Sequence, residues 1–469
     1  MIDAALLAEQ LPRHRWFGAK ERAISDVDVW DEATLDDGTP ALVVALLAVR
    51  FADETTDCYH VLLLVDRDGG MRDAFEDIDR VRVLGRLMSQ GETIKGSSGR
   101  FHFGGPGLDP SSPPGTDSIR AIGVEQSNSS VVMDEAVILK LFRRVEPGPN
   151  PELELTRLLT AEGFESIPAQ VGEILYEGEI DGSDAEIDLG VAQQLIEGRE
   201  GWTEILQGLR ELYDRATVEV DVEQAVEEMA GTSLDELARL GDATASLHVV
   251  LARDGLDPDV VAEPVEHDDL SRWTRAIRAS LDRVLGSGVA ELRAFDPAIR
   301  ARIDELEAIG DAGSKTRTHG DYHLGQVMLT ARGWMILDLE GEPARALEER
   351  RAKQSPLRDV AGMLRSFSYA AVAALLERAE VGSEDWSRLE PWADAWERAA
   401  RQRFLGAYFA TSHEGGFLPP DRDDMATMLD AFELEKALYE VRYEQAHRPA
   451  WLPIPLRGIA RILDPDVQR

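Results

Sequence analysis

Hydrophobic positions change their period partway along the chain. In the first hundred residues they come as short strand-like runs. Ala41 to Phe51 and Cys58 to Asp66 are rich in Val and Leu, and the polar stretch Ala52–Asp57 between them gives the pattern of a hairpin. Gly, Pro and Ser then crowd Phe103 to Ser118, which marks a loop or a subdomain boundary. Val131–Met133 and Val137–Phe142 flank Asp134-Glu135-Ala136 as a second hairpin, and Pro151 opens a helix in which Leu155, Leu158 and Leu159 recur at helical spacing. From Trp202 onward the period lengthens. Ala225–Leu251, Leu270–Leu285, Pro297–Ile309, Val360–Ala379, Trp386–Gly406 and Met425–His447 carry apolar residues at i, i+3 and i+4, the signature of amphipathic helices. The pattern predicts an α+β chain, β-rich in its first half and helical in its second. A cleft between two such lobes is a common place for a ligand.

Length and composition narrow the function classes. A chain of 469 residues exceeds what one core usually holds, so two or three domains are expected. Fifty basic against 88 acidic residues leave a formal net charge of −38, which repels phosphate backbones and anionic lipid and argues against nucleic-acid or membrane partners. Six lysines against 44 arginines, with the acidic excess, read as the surface of a salt-adapted (halophilic) protein. The longest apolar run, Ala41 to Val49, is shorter than a membrane helix, and the first residues show no secretory pattern. The lone Cys58 excludes an internal disulfide and a multi-cysteine zinc site. A cytoplasmic location is expected.

The chemistry concentrates in one segment. Thr318-His319-Gly320-Asp321-Tyr322-His323-Leu324-Gly325-Gln326 is followed by a hairpin, Val327–Leu337, that ends at Asp338, 17 residues after Asp321. A loop, a hairpin and a strand end can bring both aspartates to one point, with the Gln326 amide oxygen beside them. Two carboxylates and an amide oxygen are hard ligands suited to Mg²⁺ shared with substrate phosphates. Phosphoryl transfer needs that arrangement plus one carboxylate aimed at the attacking hydroxyl. Asp321 is the expected base, Asp338 and Gln326 the metal ligands, and Glu340, on the same strand face as Asp338, a ligand through water. His319 and His323 read as residues that orient the loop around Asp321, and Asp359 as a helix cap or a buried brace for it.

His-Gly-Asp-x-His with a following amide and a downstream Asp resembles the catalytic loop of the aminoglycoside-phosphotransferase and choline-kinase-like branch of the protein-kinase fold. Asp338-Leu339-Glu340-Gly341-Glu342-Pro343, Ser355-Pro356-Leu357-Arg358-Asp359 through Ser366, Arg15-Trp16-Phe17-Gly18, Glu125-Gln126-Ser127-Asn128-Ser129 and Arg448-Pro449-Ala450-Trp451-Leu452-Pro453 narrow the likeness to the maltokinases, over nearly the whole chain. The resemblance implies a bilobal kinase-like fold with three parts: an N-terminal β-rich cap over 1–110, an ATP-binding lobe over 111–200 and a helical lobe over 201–469. There is no Gly-x-Gly-x-x-Gly loop, and Gln326 stands where most kinases have Asn.

In a kinase fold Lys140, placed inside an apolar strand, grips the ATP phosphates and is held by Glu154 first and Glu152 second. The turn at Ser127, Asn128 and Ser129 covers the phosphates, and Gln194 and Ile196, in the Gln193–Ile196 hinge, meet adenine. For the sugar the resemblance points to Lys436, Tyr439, Glu440 and Tyr443 on one helix, extended by Arg448. The implied activity is ATP- and Mg²⁺-dependent phosphorylation of maltose at its anomeric hydroxyl, with a functional link to trehalose synthase. Two other readings stay open: an amino-sugar or aminoglycoside kinase, for which Glu435, Glu440 and Glu444 are available to an ammonium group, and a catalytically inactive partner of trehalose synthase.

Overall fold

The computed structural model of the chain describes residues 2–122, 128–180, 182–216, 221–343 and 345–464. The chain divides into two compact units, Met1–Glu197 with Pro343–Arg350, and Gly198–Glu342 with Arg351–Arg469.

The first unit is built on strands. In chain order it holds α1 (Ala4–Gln10), β1 (Ile24–Asp36), β2 (Ala41–Phe51), β3 (Thr56–Val65), β4 (Met71–Asp73), α2 (Arg82–Gln90), β5 (Thr93–Lys95) and β6 (Gly99–Gly104). It continues through β7 (Ile119–Ala121), β8 (Asn128–Met133), β9 (Val137–Phe142), β10 (Arg144–Val145), α3 (Pro151–Ala161), β11 (Gln170–Ile180) and β12 (Ser183–Gln194). One antiparallel sheet runs β1-β2-β3-β10, with β4 on β3, and a second runs β5-β6-β11-β12-β9-β8-β7. The period of two in β2 explains how the two cores arise. Val43, Ala45, Leu47 and Val49 face a cluster with Leu7, Leu11, Trp16 and Phe17, while Leu42, Val44 and Leu46 face a cluster shared with Phe101, Val131, Leu139, Leu141 and Ile187 of the larger sheet. β2 is therefore apolar on both faces and reads as a continuous hydrophobic run. Cys58 of β3 is buried in the second cluster.

β5 and β6, which precede the boundary expected at 110, join the seven-stranded sheet that also holds β8 and β9. Both hairpins form. Between β8 and β9 the residues Asp134 and Glu135 have φ of 54° and 48°, the tight left-handed turn that suits a two-stranded ribbon. The Asp134 carboxylate accepts the N–H groups of Gly115, Thr116, Asp117 and Ser118 at 2.7–3.2 Å, and so pins the Gly/Pro-rich loop to that turn. Asn150 caps α3 by accepting the Glu152 N–H at 2.9 Å, and Pro151 stands at the first helical position.

The second unit is mainly helical. It contains β13 (Arg199–Glu200), α4 (Gly201–Asp214), α5 (Val222–Leu251), β14 (Glu263–Pro264), α6 (His267–Gly286), α7 (Asp296–Glu307), β15 (Ser314–Lys315), β16 (Val327–Thr330) and β17 (Gly333–Ile336). The short α8 (Leu347–Arg351) falls in the first unit but for its last residue, and the second unit resumes with α9 (Leu357–Leu376), α10 (Glu384–Ser412), α11 (Arg422–His447) and α12 (Pro453–Ile462). α9 is apolar almost all round and buried among α4, α10, α11 and α12. By length and composition it could cross a membrane, but 89% of its apolar window is buried inside the unit, as in a core helix.

Candidate functional site

Two constellations gather the predicted residues, one in each unit. In the second unit the catalytic segment is a loop held by its own backbone and by α9. The N–H groups of His319 and Gly320 donate to the two oxygens of Asp359 at 2.7 and 3.0 Å, and His248 Nε2 lies 3.1 Å from the same carboxylate. The Tyr408 hydroxyl is 2.9 Å from His248 Nδ1. Burial raises the Asp359 carboxyl, but the His248 hydrogen bond, the histidine charges and the Gly320 N–H outweigh it and hold the group below the ordinary carboxylate value. Asp359 is thus a brace, as expected; the cap position belongs to Pro356. His319 is buried with Nε2 on the Leu337 carbonyl at 2.9 Å, and its Nδ1 faces the Asp321 N–H at 3.4 Å. Both contacts orient the loop.

Asp321 itself is half-buried and its Oδ1 accepts Lys436 Nζ at 3.2 Å. Burial works against the Lys436 charge, yet Asp321 foremost, with Glu440 and Glu342, more than offsets this and holds the ammonium above its ordinary value. His323 Nε2 lies 3.9 Å from Asp321 Oδ2, while its Nδ1 accepts the Gly325 N–H at 3.0 Å. Burial lowers the His323 pKa against the pull of Asp321 and Asp338, so the ring is neutral near pH 7. On the neighbouring hairpin the Leu337 N–H donates to the Gln326 carbonyl, and Gln326 Nε2 donates to Asp338 Oδ2 at 3.0 Å. A carboxylate oxygen of Asp338 and one of the buried Glu340 lie within 4.8 Å of each other. Asp338 has φ of 61°, the left-handed region that few residues other than Gly adopt. Two carboxylates so arranged are hard-oxygen donors that fit a divalent cation, and Gln326 meets them through its amide N–H.

α11 carries the residues expected at the sugar. Tyr439 and Tyr443 are exposed, with ring centroids 6.4 Å apart, and Tyr443 stacks on His447 at 4.6 Å. Burial first, and then the nearby Glu342 charge, raise the Tyr439 phenol above its ordinary value. Glu440 is a correction. It is buried, and its Oε2 accepts Arg365 at 2.7 and 3.0 Å, because it lies on the helix face that also buries Glu433, Ala437 and Glu444. Arg448 donates to Glu444 at 2.6 and 2.9 Å and lies over the rings of Tyr443 and Trp451, at 5.4 and 4.4 Å. Glu435 is paired with Arg358 at 2.5 Å. All three glutamates considered for an ammonium group are therefore engaged by arginines.

In the first unit Lys140 Nζ is 2.8 Å from Glu152 Oε2, and the Glu152 side chain is almost wholly buried. Glu152 is the second of the two partners expected. Glu152 shares the buried stripe of α3 with Leu155, Thr156 and Leu159, whereas Glu154 lies off it. Ser127 falls outside the described residues. Asn128 is buried at the start of β8, and the Ser129 hydroxyl accepts Arg143 Nε at 2.8 Å, which turns it into the core. The Gln194 N–H is bonded to the Ala169 carbonyl and that of Leu195 to the Ala136 carbonyl, at 2.9 and 2.7 Å. Gln194 therefore has no backbone N–H to offer a base. His248 and Arg143 escape sequence reasoning. A histidine inside an apolar helix and the first arginine of an Arg-Arg pair give no local signal.

Residues 11–90 match the maltokinase N-terminal cap domain, and residues 118–392 match the phosphotransferase enzyme family. The chain belongs to this phosphotransferase family. It carries a maltokinase-type cap and the family's kinase-like fold, with β-sheets first and a helical C-terminal region. It is also similar to a glucosamine kinase of Streptacidiphilus jiangxiensis, 27% identical over 355 residues that cover 73% of each chain. A glucosamine kinase of Mycolicibacterium smegmatis is 27% identical over 359 residues, covering 74% of this chain and 79% of that protein. A solved glucosamine kinase in complex with glucosamine, ADP and inorganic phosphate superposes with a TM-score of 0.72 at 22% identity, covering 98% of this chain and 99% of that one. At that identity the likeness speaks for the fold.

Proposed function

We propose that the protein is an ATP-dependent sugar kinase that phosphorylates maltose at its anomeric hydroxyl. The observation that carries the reading is the Asp321–Lys436 pair beside the exposed Tyr439–Tyr443–His447 stack. In this mechanism the Asp321 carboxylate accepts the proton of the attacking hydroxyl, and His319 and Asp359 keep the loop in place. Lys436 sets the charge of the acceptor side: an ammonium next to the base repels a cationic acceptor and suits a neutral sugar. The tyrosine faces take pyranose C–H surfaces, and a stack longer than one ring favours a disaccharide over a monosaccharide. Lys140, fixed by Glu152, neutralises the nucleotide phosphates. Asp338, Gln326 and Glu340 would hold Mg²⁺, which when bound neutralises charge on the transferred phosphoryl group.

A coupled ADP-release assay across maltose, glucose and glucosamine, with phosphorus NMR of the product, tests the assignment. Maltose as the preferred acceptor and an anomeric phosphate are expected. Glucosamine as the preferred acceptor would overturn the maltose assignment in favour of the second reading, an amino-sugar kinase. That alternative is favoured by the names of the two relatives, and Glu342, whose charge acts on Tyr439, is the carboxylate it would place at an ammonium group. Asp321→Asn should lower kcat by about 10²–10⁴-fold while ADP binding persists. Unchanged turnover would remove Asp321 from the mechanism.

A further inference from the structure

We propose that Arg143 is a positioning residue that ties the N-terminal cap to β8, the strand paired with the one that bears Lys140, so that the cap sets the affinity for ATP. The inference rests on the kinase reading above, in which Lys140 on β9 serves the nucleotide.

Arg143, between β9 and β10, is fully buried. Its Nε donates to Ser129 Oγ at 2.8 Å, and its Nη2 lies 3.1 Å from both oxygens of Asp73. Trp16 Nε1 donates to the same Asp73 carboxylate at 3.0 Å, and the Phe75 N–H does so at 2.9 Å. The guanidinium also sits over the rings of Trp16 and Phe75, at 4.7 and 4.9 Å. Trp16, Asp73 and Phe75 belong to the segment matched by the cap domain, whereas Ser129 and Arg143 belong to the phosphotransferase match. One side chain therefore joins the two. From Ser129 the link continues along the β8–β9 ladder, where Ser129 pairs with Leu141 and Ser130 with Lys140.

Stability alone does not account for this choice. Taking a guanidinium and a carboxylate out of water is expensive, and apolar side chains of similar volume often hold such a site as well or better. What the guanidinium supplies is direction. Its planar fork fixes one hydroxyl on β8 relative to one carboxylate on β4, and the backbone is held too, since the His60 N–H donates to the Arg143 carbonyl at 2.8 Å.

The test compares wild type, Arg143→Met and Trp16→Phe by the KM for ATP, the ADP affinity from titration calorimetry, kcat and the acceptor KM. Arg143→Met should weaken both nucleotide constants about tenfold, with kcat and the acceptor KM little changed. Trp16→Phe keeps an aromatic ring and removes the donor to Asp73. It should weaken them about threefold, and add nothing to Arg143→Met when the two are combined. Nucleotide constants equal to wild type in both variants would overturn the proposal, whatever happens to the melting midpoints. Wild type that binds no ADP would instead remove the kinase reading. If Arg143→Met does not fold, Trp16→Phe decides alone.

Discussion

Three aspartates show how differently one residue type is used. Asp359 is fully committed to three partners, two loop N–H groups and His248. Asp359→Ala would strand all of them in a buried place, and a loss of about 3–5 kcal/mol is expected in urea unfolding, with kcat falling beyond what the unfolded fraction explains. Asp338 occupies a left-handed backbone position that Asn tolerates about as well. Its cation affinity can thus be probed by Asp338→Asn without loss of the turn. Asp188 is the reverse of Asp359. Burial pushes its carboxyl up to about 6, although the Asn150 N–H donates to it at 2.7 Å. Between its unfolded value near 4 and about 6 the folded chain holds a proton that the unfolded chain has released. Stability from this group is therefore present at low pH and lost as pH rises through 6. Asp188→Asn should remove that loss, with a gain over wild type of about 1–3 kcal/mol at pH ~7.5 that vanishes near pH ~4.

At the scale of elements, α9 and α11 decide the site. α9 brings Asp359 to the loop because Gly362 has no side chain: a Cβ there would lie 2.5 Å from the Tyr322 carbonyl oxygen. Gly362→Ala must push the loop away, and a cost of about 1–3 kcal/mol with a reduced kcat is expected from paired melting and turnover measurements. α11 splits into an exposed edge, Tyr439 and Tyr443, and an inner face of buried Glu433, Glu440 and Glu444. Tyr443→Ala should raise the acceptor KM and leave the KM for ATP unchanged. Most of these elements were legible from periodicity. The helices expected at Val360–Ala379 and Met425–His447 form as Leu357–Leu376 and Arg422–His447. The loop and hairpin geometry was legible too, since His-Gly-Asp and the Asp after a hairpin sit close in sequence. What periodicity hid was which charged residues turn inward. Glutamates on a buried stripe look like surface residues until the arginine opposite them, 75 positions away for Glu440, is known. Glu152 is readable by the same rule that gives Leu155 and Leu159, but a carboxylate on its own suggests the solvent face.

For the whole molecule, the charge of −38 is the dominant fact. Many arginines are already spent locally: Arg22 reaches Asp53 and Asp57, Arg50 reaches Asp26 and Asp28, and Arg403 reaches Glu227 and Asp235. The remaining acidic surplus repels itself. Screening shortens to ~3 Å in molar salt, so the melting midpoint should climb from low to molar KCl, and a midpoint indifferent to KCl would count against salt adaptation. Two compact units also permit two unfolding steps, which calorimetry would separate from a single transition.

The sole thiol offers a ready way to tell those steps apart. Because Cys58 is packed inside the first unit and its burial keeps the sulfur protonated, a disulfide reagent labels it only when that body opens. The native chain thus carries its own single-site clock for half of its architecture, with no engineered reporter.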